Sequence, residues 1–102
     1  AEFGAKSYRL YHYSNFSYEA LIMIAPAAGY TYSANLYFKK DGQALPANMQ
    51  DGQLMHVFFP ISRLSEILET LRVETPLWVT LASNGVFSLS TFTDEPIGEQ
   101  EV

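Results

Sequence analysis

A chain of 102 residues, 48% hydrophobic and 15% aromatic, is long enough for one domain with a real core and too rich in aromatics for a disordered segment. The absence of cysteine excludes disulfides, thiolate metal sites and cysteine nucleophiles. The net charge of −5 disfavours non-specific nucleic-acid binding. Asp94, Glu95, Glu99 and Glu101 carry four of the eleven acids, however, so residues 1–93 hold six bases against seven acids, a balance of −1.

No apolar run approaches the roughly 18 residues of a membrane span. The longest, Ala20 to Ala28, contains Pro26. With no visible leader and no cysteine, the expectation is a cytoplasmic protein without a membrane partner. Ala1-Glu2-Phe3-Gly4 reads as an appended stretch and is left outside the fold.

Ser7 to Tyr13 alternates as a strand, with Tyr8, Leu10 and His12 on one face and Arg9, Tyr11 and Tyr13 on the other. Ser14-Asn15-Phe16-Ser17 is a turn by composition. Tyr18 to Ala25 is a second strand, apolar on both faces at Leu21-Ile22-Met23-Ile24 and so expected at the sheet's centre. After Pro26-Ala27-Ala28-Gly29, Tyr30 to Lys39 is a third strand. Tyr30, Tyr32, Ala34, Leu36 and Phe38 oppose the wetter Thr31, Ser33, Asn35, Tyr37 and Lys39.

Asp41 to Gln53 holds Gly42, Pro46, Asn48 and Gly52 and reads as one long surface loop. Leu54 to Phe59 is a fourth strand. From Pro60 to Arg72 the period changes, and Ile61, Leu64, Ile67, Leu68 and Leu71 form one helical stripe that ends near Val73. Arg63 with Glu66, and Glu69 with Arg72, are i,i+3 pairs on its outer side. Thr75-Pro76 stops the helix. Leu77 to Ala82 and Val86 to Phe92 form a hairpin about Asn84-Gly85. The acidic residues 94–102 read as a flexible tail.

The expected fold is α+β: a curved, mostly antiparallel sheet of about six strands in order β-β-β-β-α-β-β, with one amphipathic helix packed on it. Five stripe residues cannot cover six strands, so either the sheet curls strongly or a second copy covers the remainder.

Catalytic and metal chemistry find little support. His12 and His56 both sit in strands that a sheet could bring together, but a metal site needs a third ligand that no fixed spacing supplies. No G-x-S-x-G elbow or phosphate-binding glycine loop occurs. Asp41 and Asp51 flank the long loop without the dense oxygen ligands that calcium requires. The expectation is therefore a binding protein and not an enzyme, with no cofactor.

All seven tyrosines lie in the first 40 residues. Tyrosine joins a large apolar body to a polar tip and suits half-wet contact surfaces. Arg9, Tyr11 and Tyr13 share one face of the first strand, and Tyr37 and Lys39 one face of the third, with Lys40 next in the turn. Two uses fit this set. One is a protein contact face, with itself as a homodimer or with a protein partner, because interface cores are enriched in tyrosine and depleted in charge. The other is a single-stranded nucleic-acid surface, on which aromatics stack bases and cations track the backbone. A third possibility, a ligand or enzyme pocket between helix and sheet, needs His12 or His56 aimed into it.

Four antiparallel strands followed by an amphipathic helix also resemble the core unit of the Whirly and positive-cofactor class of single-stranded-DNA-binding dimers. The resemblance covers the order of elements from Ser7 to Arg72 and no motif residue, and element order does not carry function.

Overall fold

The computed structural model describes residues 1–73 and 77–91. The strands are β1 Glu2–His12, β2 Ala20–Pro26, β3 Ser33–Lys39, β4 Met49–Asp51, β5 Leu54–Pro60, β6 Leu77–Leu81 and β7 Phe87–Thr91. A 3₁₀ turn, Ile61–Arg63, leads into the single helix α1, Leu64–Val73. The seven strands form one sheet in the order β4-β5-β3-β2-β1-β6-β7. Thr75-Pro76, Phe92 and the acidic tail lie outside the described residues.

The α+β class is as expected from the sequence, and three details differ. First, the sheet is mixed: β3 and β5 run parallel, from Ser33 opposite Leu54 to Lys39 opposite Pro60. Residues 40–53 are long enough to carry the chain back along β3, so β5 begins beside the start of β3. The four-stranded antiparallel unit that the element order suggested does not form. Second, the long loop contains β4, which turns at Gly52 (φ +62°) and pairs antiparallel on the outer side of β5, Met49 opposite His56.

Third, residues 1–4 belong to the fold. Glu2, Phe3, Gly4 and Ala5 pair with Thr80, Val79, Trp78 and Leu77 of β6, and Phe3 has no exposed surface. The pairing of β1 with β2 shifts register between Ala5 and Ser7. The extra residue, Lys6, reverses the alternation. Phe3 and Ala5 thereby join Tyr8 and Leu10 on the inner face, although their numbers have opposite parity.

The sheet curls until its ends meet. The Asn48 side-chain amide donates to the Gly85 carbonyl at 2.9 Å, and its Oδ1 accepts the Phe58 N–H at 2.9 Å. This joins the β4–β5 end to the β6–β7 turn. Further along, Phe59 and Phe87 meet edge-on at 6.0 Å. The inner face holds the core: Phe3, Ile22, Ile24, Leu36, Phe38, Met55, Val57 and Val79 are essentially unexposed. Burying each is worth roughly 1.5–3 kcal/mol. Ile67 and Leu71 of α1 are buried against it, and Ile61, Leu64 and Leu68 pack at its margin. The helical stripe is thus the expected one. Five residues suffice because curling, and not a wide helical layer, covers the inner face.

Of the two expected helical pairs, Arg63–Glu66 closes and Glu69–Arg72 does not. Asp41 Oδ1 accepts the Ser62 N–H at 3.1 Å, so the turn after β3 caps the start of the helical segment. No helix among the described residues is long and apolar enough to cross a membrane.

Candidate functional site

The curl leaves the outer face of β1, β2, β3 and β5 without a covering layer among the described residues. Strand register arranges its side chains in two rungs. Tyr11, Leu21, Tyr37 and Phe58 lie side by side in one, and Arg9, Met23, Asn35, His56 and Met49 in the next. The rungs are apolar at their centres because β2 is apolar on both faces. Leu21 is only 7% exposed between its flanking tyrosines, whereas Met23 is 41% exposed and Met49 52%.

An aromatic run crosses this face. Tyr11 stacks on Tyr13 at 6.3 Å, and Tyr13 meets Phe16 at 5.2 Å and Tyr18 at 5.3 Å. Tyr18 meets Tyr37 edge-on at 5.0 Å, and Tyr37 stacks on Phe58 at 5.0 Å and on His56 at 5.7 Å. Asn15 makes the run continuous. Its left-handed backbone (φ 60°), which asparagine tolerates better than most residues, belongs to the turn that folds Phe16 back onto Tyr13 and Tyr18.

Polar tips tie the rings in place. The Tyr37 hydroxyl accepts from the Asn35 amide at 3.3 Å and lies 2.8 Å from His56 Nδ1. The Arg9 guanidinium donates to the Tyr11 hydroxyl at 3.2 Å, which holds Arg9 further toward its charged form. Burial raises the Tyr18 phenol above its ordinary value near 10, and the neighbouring Tyr13 and Tyr37 phenols add to the effect.

The structure gathers Arg9, Tyr11, Tyr13 and Tyr37 on this face. Lys39, half-buried, continues the Tyr37 side of β3 at its end. Lys40 lies beyond it in a groove of about 630 Å³ shared with Tyr13, Phe16, Tyr18 and Glu19. A second groove, of about 490 Å³, runs along Ser7, Arg9, Met23, Ala25, Asn35 and Leu54. Sequence reasoning missed Phe16, Tyr18, Met23, His56 and Phe58 as members of the face. Phe16 reads as part of a turn, and Phe58 joins Tyr37 only because β5 runs beside β3.

The histidines are not neighbours. His12 ends β1, which β2 and β3 separate from the β5 strand of His56. The groove between α1 and the sheet, about 230 Å³, is lined by Phe59, Arg63, Glu66, Ile67, Thr70, Phe87 and Leu89, and neither histidine reaches it. Asp41 caps the helical segment and Asp51 ends β4 opposite Leu54. Among the described residues no three histidine, aspartate or glutamate side chains gather as a metal site.

Compared with known proteins, the chain matches no family model, no curated protein and no solved structure.

Proposed function

We propose that this protein is a non-enzymatic interaction module that works as a homodimer, with the tyrosine-rich outer face of the sheet as its contact surface. The observation that carries the reading is the uncovered run of Tyr11, Tyr13, Phe16, Tyr18, Tyr37 and Phe58, bordered by exposed Met23 and Met49. Aromatic and methionine side chains are what protein contact surfaces accumulate, and the tyrosine hydroxyls give this face a polar component in the free state. Charge is sparse there: Arg9 is tied to Tyr11, and Lys39 and Lys40 stand at one margin.

Light scattering of the protein and of Tyr11→Ala and Tyr13→Ala variants tests the reading. The protein is expected to approach twice the mass of one chain as concentration rises. The variants are expected to dissociate at higher concentration with an unchanged circular dichroism spectrum. The continuity of the aromatic run also favours a second use, stacking of single-stranded bases with Arg9, Lys39 and Lys40 on the backbone. Oligonucleotide binding that falls steeply with salt and is lost in the Lys39→Ala/Lys40→Ala variant would replace the first reading with this one.

A further inference from the structure

β1 is eleven residues long, but its two halves have different neighbours. Ala5 and the residues before it pair with β6, and Ser7 to His12 pair with β2 on one side. On the other side of Ser7–His12 no strand lies among the described residues. The Tyr13 N–H donates to the Glu19 carbonyl toward β2 at 2.9 Å. Antiparallel alternation then turns the backbone groups of Arg9 and Tyr11 toward β2 as well. Those of Tyr8, Leu10 and His12 point out of the open edge.

Natural sheets blunt such edges with lysines, prolines, bulges or very short strands. β4 follows that rule with three residues beside the β6–β7 turn. The β1 edge does not. Its bulge sits at Lys6, before the open part, and Ser7–His12 contains no proline and one formal charge, Arg9, whose side chain turns to the outer face.

We infer that this edge pairs with the same edge of a second copy, antiparallel about a two-fold axis, so that the two sheets become one. This rests on the homodimer reading above and adds to its contact the β1 edge, which borders the tyrosine face at Arg9 and Tyr11. The register follows from the residues. Centring on Leu10 sets it against the partner's Leu10 and Tyr8 against the partner's His12, and all three outward amides find carbonyls. On the outer face, Arg9 then meets the partner's Tyr11, the same pairing it makes within its own chain. Centring on Arg9 would instead oppose two like charges and set His12 against the partner's bulge at position 6, where it finds no regular pairing. Self-complementarity of this kind is what an isologous interface requires. The two tyrosine faces merge into one surface across the axis.

Amide hydrogen exchange at several protein concentrations, with the mass recorded by light scattering in the same samples, tests the inference. As dimer forms, exchange at Tyr8, Leu10 and His12 is expected to slow by about tenfold or more, while Arg9 and Tyr11 stay protected throughout. His12→Pro removes an outward N–H at an exposed strand end, where proline is tolerated, and is expected to raise the dimer dissociation constant by about tenfold. A dimer whose Tyr8, Leu10 and His12 amides exchange freely, and which His12→Pro leaves intact, would overturn the edge contact while sparing the tyrosine-face reading. Slow exchange of these amides in the monomer would also overturn it, because the chain itself would then cover the edge. A monomer at every concentration would overturn both.

Discussion

Replacing Asn48 by alanine should open the curl from which both faces of the sheet follow. The side chain makes two hydrogen bonds between segments far apart in sequence, to the Gly85 carbonyl and from the Phe58 N–H, each at 2.9 Å and partly buried. Each such bond contributes about 1 kcal/mol net, and a partly buried amide left without a partner adds a further penalty. Asn48→Ala should therefore cost roughly 2–3 kcal/mol. Urea denaturation reads this as a midpoint lowered by about 0.7–3 M with an unchanged slope, given slopes of about 1–3 kcal/mol/M for small domains. Gln50→Ala is the matched control. Its side chain donates to the nearby Gly52 carbonyl in an exposed turn, and its loss should stay within about 0.5 kcal/mol. If Asn48→Ala were as mild as the control, the two ends of the sheet would not be held together by this bridge.

Phe3→Ala should destabilise by about 3–5 kcal/mol, since the ring is fully buried between β6 and the core; a loss under about 1 kcal/mol would remove residues 1–4 from the fold. Tyr37→Phe deletes the hydroxyl between Asn35 and His56 and should cost about 1 kcal/mol in the same denaturation assay. Because the folded state raises the Tyr18 phenol, its contribution is complete below pH 10 and is lost as pH rises through the folded value. Stability should fall from pH 10 upward, one tyrosine should ionise late in the ultraviolet titration, and Tyr18→Phe should remove both effects.

Local periodicity made most of this architecture legible. The 2-residue period of Ser7–Tyr13 and Tyr30–Lys39 and the 3–4 spacing from Ile61 to Leu71 each fall on an observed element, although β1 begins earlier, at Glu2, and β3 later, at Ser33; the wetter side of Ser33–Lys39 faces outward as expected. Pairing was harder to read, because it depends on where a connection returns and not on the strands themselves. Nothing within Leu54–Pro60 marks it as parallel to β3. Asp51-Gly52 did carry a hairpin signal for β4, but the polar composition around it suggested a loop. Ala1–Gly4 reads as an appended stretch, and the bulge at Lys6 hides the alternation that would link Phe3 to Tyr8. The same distinction holds at the candidate face. Arg9, Tyr11, Tyr13 and Tyr37 followed from alternation within single strands. Phe58 and His56 needed the parallel pairing, and Phe16 needed the left-handed turn at Asn15.

We propose that the tyrosine-rich face belongs to a self-associating module. Sedimentation equilibrium of the protein beside Tyr11→Ala, from micromolar to millimolar concentration, tests it most directly. The mass is expected to rise to two chains for the protein and to stay nearer one for the variant, with the fold intact in both. A mass of one chain throughout for both proteins would contradict it.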